Sequence, residues 1–447
     1  MIYKNPEGTV AFLDNYIEQR VKQAAADINK AAPGTERLKA VLQAASFTPD
    51  FKVLLPKLAP ALISFKALEK LAQKLLGTRR HVDLIVKGLE GNITTEMGLL
   101  VGDLADLVRK SPQLVREFEN PDYSTLLVRL KNLEGHAEFK ERFESFMAKY
   151  DMRAAGEIDM ARQRWIESPE QLAVSILAIV KTAQEGAHRE EYQETVLRAK
   201  EAAAELIREV EAKHGRLKAL IVKRLIRVLR NLLPIREHPK YLIMKLILLS
   251  KRVFLEEAEA LVAKGHLAKA EDVFYVGFWE LYHAIEHDES LLSLVEKRKE
   301  EYRHYQRLTP PRVLTSEGEE IKAGYHQENL PKGALAGMPV SAGVVEGIAR
   351  VITDPAKSSL AKGEILVAPF TDPGWTPLFI NAAGLVMEVG GLLTHGTVVA
   401  REYGIPAVVG ITGATNLIKS GQRIRVDGNA GIVMILEEQE IAPGVSS

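Results

Sequence analysis

The sequence predicts an irregular all-helical domain followed by a compact β/α domain, and two contrasts along the chain support this division. Up to about Arg303, apolar residues recur at intervals of three and four, which is the period of an amphipathic helix. After Gly333 the chain is rich in glycine and valine, and its apolar residues gather in short runs typical of buried strands. The predicted fold class is therefore α + α/β, with a helical domain at 1–308, a linker at 309–332 and a second domain at 333–447.

Apolar stripes define the helices of the first domain. Three of them contain Phe12, Ile17 and Val21; Leu127, Leu130 and Leu133; and Val196, Ala199 and Ala203. No fixed period relates the segments, which argues against a solenoid. Prolines are predicted to separate the helices, at positions 33, 49, 56, 112, 121, 169, 234 and 239.

The linker is polar and rich in proline, with Thr309–Pro311, Glu317–Glu320 and Gln327–Pro331 as its most irregular parts. A mobile domain needs a hinge, and this segment is the best candidate for one. An ordered loop packed on both halves explains the composition equally well.

Five short apolar runs predict the strands of the second domain, with helical stretches between them. They lie at 349–352, 365–368, 385–387, 407–409 and 432–435. This alternation indicates a compact α/β layer.

Composition narrows the class of protein. The 447 residues are 46% hydrophobic and 26% charged, as in soluble globular proteins, and the formal net charge of zero gives no reason to expect nucleic acid or an anionic membrane as partner. The absence of cysteine excludes disulfides, thiolate catalysis and zinc–thiolate sites. The first residues have no apolar signal core, and the most hydrophobic run, 241–255, is too short for a bilayer, so we expect a cytoplasmic protein.

Residues 384–406 carry the clearest chemical signal. The apolar run at 385–387 predicts a buried strand, and the glycines after it permit a tight turn. Thr394 is a candidate N-cap, which places His395 in the first turn of a helix. Gly404 suits the position just after the helix, and a proline two residues later prevents continuation.

An imidazole in the first turn of a helix lies near free backbone N–H groups, which stabilise a phosphate and disfavour the imidazolium form. We therefore expect His395 to be a neutral nucleophile that becomes phosphorylated and passes the phosphoryl group on, with Thr394 and Gly396 stabilising the phosphate. This hypothesis requires a ring nitrogen that solvent can reach and that faces amide donors. On the helix-start signal alone, a surface or packing histidine is the commoner explanation.

Several motifs favour the catalytic interpretation because they recur in order around His395. They are Thr371–Pro377, Glu388–Gly391, Thr394–Gly396, Ala400–Glu402, Gly404–Gly410 and Val426–Gly428. Together they closely resemble the swivelling phosphohistidine domain of the PEP-utilising enzymes, which occurs in phosphoenolpyruvate synthase, pyruvate phosphate dikinase and rifampicin phosphotransferase. The resemblance covers most of 333–447. It implies that His395 takes a phosphoryl group from an ATP-derived donor and carries it to an acceptor site.

The helical domain resembles the acceptor-binding region of rifampicin phosphotransferase-type enzymes at 91–106, 150–165 and 236–240, with more scattered motifs. Arg236 and Lys240 are four residues apart, so on a helix they would point the same way and could neutralise a phosphate. An exposed basic face has the same spacing, and the proline at 239 interrupts a regular helix. The resemblance implies that both residues lie near the transferring phosphoryl group.

The glycines at 91, 98 and 102 do not have the spacing of a phosphate loop. In helices such glycines more often allow close packing. The resemblance implies instead that the acceptor approaches the backbone near Met97 and Gly98.

Charged residues elsewhere favour structural roles. Arg153, Glu157, Asp159 and Arg164 are predicted to form a buried ion-pair network. Arg401 falls about two turns after His395, so an ion pair with a carboxylate is the favoured interpretation.

Enzymes of this family generally need an ATP-grasp domain to phosphorylate the carrier histidine, and the sequence shows no glycine-rich nucleotide loop followed by lysine. The pyruvate-binding barrel of the synthase and the dikinase is not seen either. We therefore expect ATP and Mg²⁺ to act through an ATP-grasp protein in trans or a domain lost from the chain, and we assign no metal ligands here.

The expected acceptor is a hydroxyl group of a small molecule bound by the helical domain. Two other interpretations stay open. One is a non-catalytic phosphohistidine carrier or regulatory partner that transfers to a protein, and the other is a truncated phosphoenolpyruvate synthase-like remnant.

Overall fold

A computed structural model describes residues 6–308, 314–319, 330, 333–355, 358–391 and 394–436. Helices account for the chain up to Tyr305, and a mixed sheet with short helices follows from Ala334. The predicted α + α/β fold class is confirmed. Most of the segment predicted as a linker, 309–332, lies outside the described residues.

The helical half contains α-helices of very different lengths. They are α1 Thr9–Lys30, α2 Thr35–Ala44, α3 Thr48–Leu76, α4 Arg80–Ile85, α5 Ile93–Arg109, α6 Pro112–Glu119, α7 Leu126–Asn132, α8 Ala137–Tyr150, α9 Glu170–Thr182, α10 Ala187–His214, α11 Arg216–Leu232, α12 His238–Ala263, α13 Phe278–His287 and α14 Leu292–Tyr305. Short 3₁₀ helices lie at Tyr123–Thr125, Leu233–Glu237 and Ala270–Tyr275.

The prediction that prolines separate the helices is wrong at Pro56, which lies inside α3 together with Pro60. A proline inside a helix removes one backbone hydrogen bond, and here extensive packing of α3 against α11 offsets that loss. Elsewhere the prediction fits better, because Pro112 and Pro239 lie in the first turns of α6 and α12, where the missing N–H has no helical partner.

Helix α5 runs through the main core of the helical half. The side chain of Asn92 caps its first turn by accepting hydrogen bonds from the N–H groups of Thr94 and Thr95. Most of its residues are buried, and they join the core formed with α1, α8, α9 and α12. Helix α5 is thus anchored in this core along most of its length.

Eight strands form one sheet in the second half. They are β1 Ala334–Ala336, β2 Met338–Ser341, β3 Val344–Val351, β4 Ile365–Ala368, β5 Gly384–Met387, β6 Ala407–Val409, β7 Arg423–Asp427 and β8 Ile432–Ile435. The order across the sheet is β1-β8-β7-β3-β4-β5-β6-β2, in which β3 to β6 are parallel neighbours and the other pairs are antiparallel. All five predicted runs overlap strands.

Helices α15 Thr376–Phe379, α16 His395–Glu402 and α17 Ala414–Leu417 complete this half. Strands β4 and β5 are parallel, so the loops that follow them leave the same edge of the sheet. The first loop leads to α15 and the second to α16. This edge therefore brings the segment before α15 next to the start of α16.

The described helices also bear on the membrane prediction. None of them combines the length and the apolar character needed to cross a bilayer.

Candidate active site

Helix α16 begins and ends where the sequence predicted. Thr394 has the extended backbone of an N-cap, and His395 is the first helical residue. At the other end Gly404 has φ of 73°, and its N–H donates to the carbonyl of Arg401 while the next N–H donates to Ala400. The N–H groups of the first turn have no partner within the helix, since the first intrahelical bond is donated by Val398.

The imidazole of His395 is enclosed between the two halves of the protein. Its side chain is 8% exposed. Nδ1 lies 3.2 Å from Oε2 of Glu237, and Nε2 lies 3.4 Å from Oγ1 of Thr376. The expectation that solvent reaches this ring is wrong for the present arrangement, because the sheet edge that carries His395 packs directly on the helical half.

Glu237 is buried at the end of the 3₁₀ helix that precedes α12. Its Oε1 accepts a hydrogen bond of 2.9 Å from Nη2 of Arg236. Burial by itself raises the pKa of this carboxyl, but the hydrogen bond to His395 and the charges of His395 and Arg236 outweigh burial and lower the pKa below its usual value. Glu237 is thus a carboxylate that faces Nδ1.

The guanidinium of Arg236 does not use all of its hydrogen-bond donors. Its Nη1 is buried and has no hydrogen-bond partner among the described residues. Beside it is a cavity of about 20 Å³, room for roughly one water molecule. The wall is mostly apolar, with Leu62, Phe65 and Leu233 on the helical side.

Lys240 lies one turn into α12, and its Nζ is 3.3 Å from Oε1 of Glu157. The same oxygen accepts a 2.8 Å hydrogen bond from Arg153. Arg164 donates to the backbone carbonyls of Glu157 and Asp159. The four residues predicted as a buried ion-pair network thus lie together, but only Arg153 and Glu157 form a buried ion pair, and the Asp159 side chain is exposed. Arg236 and Lys240 therefore flank the same region but have different carboxylate partners.

Asp372 ties the loop before α15 to the helical half. One carboxylate oxygen accepts a 2.6 Å hydrogen bond from the N–H of Gly156, and the other accepts from Gly374. Burial, followed by the charge of Glu157, raises the pKa of Asp372, although Lys240 and the Gly156 N–H oppose this shift.

Gly396 and Thr394 shape the start of α16. A Cβ on Gly396 would lie 2.2 Å from Oγ1 of Thr371, so the close approach of that hydroxyl requires glycine. The Thr394 hydroxyl does not cap the helix; it donates to the carbonyl of Gly391 and contacts the hydroxyl of Thr397. The phosphate-stabilising roles of Thr394 and Gly396 stay predictions.

Met97 and Gly98 lie on α5, where Met97 is fully buried. A Cβ on Gly98 would meet Oη of Tyr403 at 2.1 Å and Cγ2 of Thr376 at 3.1 Å. Tyr403 uses this space to donate a 2.9 Å hydrogen bond to the carbonyl of Thr95. Gly98 thus permits close packing of the second half on α5, and the substrate-binding role of Met97 and Gly98 stays a prediction.

Arg401 and Glu402 occupy the last turn of α16. Arg401 donates to the carbonyl oxygen of Val340 at 2.6 Å and, within the described part of the chain, has no carboxylate within 4 Å, so the expected ion pair is not formed. Burial, together with the charge of Arg236, lowers the pKa of Arg401 to about 10.

Glu402 is buried between the two halves. It accepts a 2.6 Å hydrogen bond from the N–H of Leu89 in the loop after α4. Burial raises the pKa of Glu402 to about 8, even though that hydrogen bond and the charges of Arg230, Arg236 and Arg401 act in the opposite direction.

Sequence reasoning missed three residues of this site, namely Glu237, Thr376 and Asp372. Glu237 follows Arg236 directly, and Asp372 and Thr376 belong to a motif already used for the resemblance. A search for carboxylates and hydroxyls inside the recognised motifs, rather than for cations alone, would have found them.

Two family models match the chain. A rifampicin phosphotransferase fourth domain matches residues 53–237, and a PEP-utilising enzyme mobile domain matches residues 360–431. The first match includes Arg236 and Glu237, and the second includes His395.

Curated relatives agree with these models. The chain is 42% identical over 369 residues to rifampicin phosphotransferase of Bacillus cereus, which covers 82% of this chain and 42% of that protein. It is 43% identical over 365 residues to rifampicin phosphotransferase of Streptomyces sviceus, with 81% and 42% covered. A probable phosphoenolpyruvate synthase of Staphylothermus marinus is 44% identical over 105 residues, or 23% of this chain and 13% of that protein.

The chain thus spans less than half the length of the rifampicin phosphotransferases that it matches. Where it matches, the similarity extends over both the helical half and the sheet domain. The chain therefore combines a rifampicin phosphotransferase fourth domain with the mobile domain of the PEP-utilising enzymes, and over most of its length it is homologous to the rifampicin phosphotransferases.

Proposed function

We propose that this chain is the transfer unit of a rifampicin phosphotransferase-like enzyme. In this proposal His395 carries a phosphoryl group and delivers it to the hydroxyl of a small molecule held by the helical half. One observation carries the proposal: the imidazole of the mobile domain lies against Glu237, next to Arg236, in the helical half. A carrier needs such a docked position at the place where it unloads.

The hydrogen-bond partners of His395 favour one ring nitrogen as the nucleophile. A carboxylate accepts hydrogen bonds only, so in the neutral form of the imidazole Glu237 places the ring proton on Nδ1. Nε2 then keeps its lone pair. The Thr376 hydroxyl lies 3.4 Å from that nitrogen, and it contributes a donor that the phosphorylated form would use.

In the loading step the Nε2 lone pair forms a bond to the phosphorus of the donor phosphate, and the bond from phosphorus to the donor oxygen breaks. In the unloading step the acceptor oxygen bonds to phosphorus and the P–N bond returns its electron pair to Nε2. The hydroxyl proton passes to a carboxylate, for which we assign Asp372 because it lies in the loop before α15, at the same sheet edge as His395, and because burial raises its pKa. Arg236 and Lys240 stabilise the negative charge of the transferring group.

The surroundings of Arg236 support an apolar acceptor that carries a hydroxyl group. Leu62, Phe65 and Leu233 give an apolar wall beside a guanidinium with an unpaired nitrogen. The cavity there has about 20 Å³, so a drug-sized acceptor would bind only when the two halves move apart. The names of the relatives point the same way, so rifampicin is the first acceptor to test.

The implied ATP and Mg²⁺ do not fit the residues around His395. Mg²⁺ needs several oxygen ligands around one point, and among the described residues no group of three His, Asp or Glu ligand atoms around His395 lies close enough together to hold an ion. We therefore assign nucleotide and Mg²⁺ to an ATP-grasp unit, on a separate chain or elsewhere in the natural protein.

The loading step is tested by intact-mass measurement after incubation with ATP, Mg²⁺ and a candidate ATP-grasp protein. We expect one acid-labile phosphate, absent from His395→Ala and retained in His188→Gln. His188 is a suitable control because it is also buried but is paired with Asp103 in the helical half. Phosphate on the His395→Ala chain would contradict the proposal.

The unloading step is tested by adding rifampicin to the phosphorylated chain and following the masses of both molecules. Transfer predicts that rifampicin gains the phosphate as the chain loses it. A phosphorylated chain that gives its phosphate only to other proteins would support the carrier interpretation instead, and a chain that takes up no phosphate under any condition would support the remnant.

A further inference from the structure

A group of metal-ligand side chains lies outside the site described above, on the outer surface of the helical half. It consists of His81 in α4 and of Glu205 and Glu209 in α10. The ligand atoms of all three lie within 4.8 Å of one another, and among the described residues no other trio of His, Cys, Asp or Glu does so. We propose that these three side chains bind a divalent transition-metal ion such as Zn²⁺.

The distances from His81 are compatible with a metal site. Nε2 of His81 lies 3.5 Å from an oxygen of Glu205 and 3.5 Å from Oε1 of Glu209. Two ligands of a tetrahedral zinc with bonds of about 2.1 Å lie about 3.4 Å apart. Both nitrogen–oxygen distances match that spacing, and the two carboxylate oxygens lie within 4.8 Å of each other.

Two further features suit a cation. Glu205 and Glu209 are four residues apart, so both carboxylates project from the same face of α10 and repel each other unless positive charge separates them. The His81 side chain is only 13% exposed, and its buried Nδ1 has no hydrogen-bond partner among the described residues, so Nε2 is the nitrogen that faces the carboxylates. Lys213 lies near Glu209, but it approaches Oε2 and leaves Oε1 facing the imidazole.

One nitrogen and two carboxylate oxygens form a mixed donor set, which suits Zn²⁺ better than Mg²⁺ or Ca²⁺. The open side of the cluster would be completed by water, since Glu205 is more than half exposed. Helix α4 leads directly into the loop that contains Lys87 and Leu89, which contact the mobile domain. A metal that joins α4 to α10 would therefore stiffen the surface on which that domain docks.

The experiment is a calorimetric titration of the full chain, freed of metal, with ZnCl₂. It is carried out in a His283→Gln, His287→Gln background, because these exposed histidines adjoin on α13 and offer Zn²⁺ a second place to bind. We expect one Zn²⁺ per chain, and an affinity at least tenfold lower after Glu205→Gln with Glu209→Gln. The matched control is Glu190→Gln with Glu194→Gln, which makes the same charge change on exposed positions of the same helix and should leave the affinity unchanged.

Two further measurements guard against a folding artefact. Thermal unfolding without metal should be similar for the test and control variants, and Zn²⁺ should raise the unfolding temperature of the control only. Co²⁺ in place of Zn²⁺ should give the visible absorption of a four-coordinate site, and His81→Gln should abolish it. Equal Zn²⁺ affinity in both double variants, or no binding at all, would overturn the proposal and leave His81 as an ion-pair partner only.

Discussion

At the scale of single residues, the imidazole of His395 lies between two side-chain oxygen atoms that belong to different halves of the protein. Glu237 comes from the helical half, whereas Thr376 comes from the domain that carries the histidine. Glu237 is thus available to the imidazole only while the two halves are in contact. The tautomer that leaves Nε2 free is consequently favoured only while the two halves are in contact and is not built into the sheet domain itself.

Replacing Glu237 with glutamine tests this role. A glutamine can turn its NH₂ group towards Nδ1, which moves the imidazole proton to Nε2 and removes the nucleophilic lone pair. We expect the rate of phosphoryl transfer to rifampicin to fall by roughly 10²–10⁴-fold, as for other groups that orient a reactive imidazole. Single-turnover transfer from the phosphorylated chain measures this rate.

Glu257→Gln is the matched control for that substitution. Glu257 lies in α12 and, like Glu237, is buried. Its carboxylate accepts a hydrogen bond from the N–H of Gly34 and pairs with Arg37, not with His395. Its replacement should leave the transfer rate within about twofold of the parent. Equal losses in both variants would show that Glu237 acts on stability and not on His395.

Arg236 and Lys240 are expected to contribute to the transfer rate in different ways. Arg236 can form a paired hydrogen bond to a phosphate, which Lys cannot reproduce, so Arg236→Lys should lower the transfer rate by roughly 10²-fold. Lys240 is one third exposed and acts as a point charge, so Lys240→Arg should retain most of the rate while Lys240→Met loses it. The same single-turnover assay checks both, and a fully active Arg236→Lys would contradict the role of the guanidinium.

Single residues also differ in whether their place in the site can be predicted from the sequence. His395 is recognisable because its helix has a threonine before it and a glycine after it, both of which are local signals. Glu237 and Thr376 are not recognisable in this way, since each becomes part of the site through contacts between segments 19 and 158 residues away from His395. Burial of the imidazole likewise depends on docking, which no local pattern contains.

At the scale of elements, the strands show the same contrast. β4, β5 and β6 are buried along their whole length and read as apolar runs. β7 is Arg423–Asp427, in which buried Ile424 and Val426 alternate with charged residues, so a search for apolar runs does not detect it. β1 and β2 are short outer strands whose pairing depends on β8 and β6.

The contact between α5 and the end of α16 can be tested with Gly98. A methyl group there would collide with Oη of Tyr403, so Gly98→Ala should displace the mobile domain and slow transfer. The same change should leave the helical half as stable as before or more stable by up to about 1 kcal/mol, because alanine favours helices over glycine. Thermal unfolding and single-turnover transfer separate the two effects.

Removing the colliding atom provides a rescue. In Gly98→Ala with Tyr403→Phe, the nearest remaining atoms would be Cγ2 of Thr376 at 3.1 Å and Cζ of the ring at 3.3 Å, and each needs to shift by only a few tenths of an ångström. We expect the double variant to transfer faster than Gly98→Ala alone. Tyr403→Phe by itself should cost only the hydrogen bond to Thr95, about 1 kcal/mol of docking free energy. A double variant as slow as Gly98→Ala would mean that the glycine matters for another reason, such as acceptor binding.

At the scale of the whole molecule, docking buries charged groups that an undocked mobile domain would expose to water. Glu402 is the clearest case, with Leu89 on one side and Arg230, Arg236 and Arg401 around it. Its pKa is about 8 in the docked form, against 4.5 for an ordinary glutamate. The docked form therefore binds a proton at Glu402 more tightly than the undocked form does.

The sign of the pH effect follows from this difference. The docked form is most favoured below pH 4.5, where Glu402 is protonated in both forms. Docking weakens as the pH rises from 4.5 to 8, because the undocked form loses its proton first, and it levels off above pH 8. Glu402→Gln is neutral at every pH and should remove most of this dependence.

Distance measurements between two spin labels check the prediction. The chain has no cysteine, so Ile63→Cys and Leu417→Cys, both at exposed positions, place one label on each half without further changes. In the parent the docked fraction should fall between pH 5 and pH 8, whereas in Glu402→Gln it should stay nearly constant. Glu257→Gln serves again as the control and should follow the parent. If Glu402→Gln kept the parent's pH dependence, another group would have to be responsible, and the buried Asp372, whose pKa is also raised, would be the next to replace.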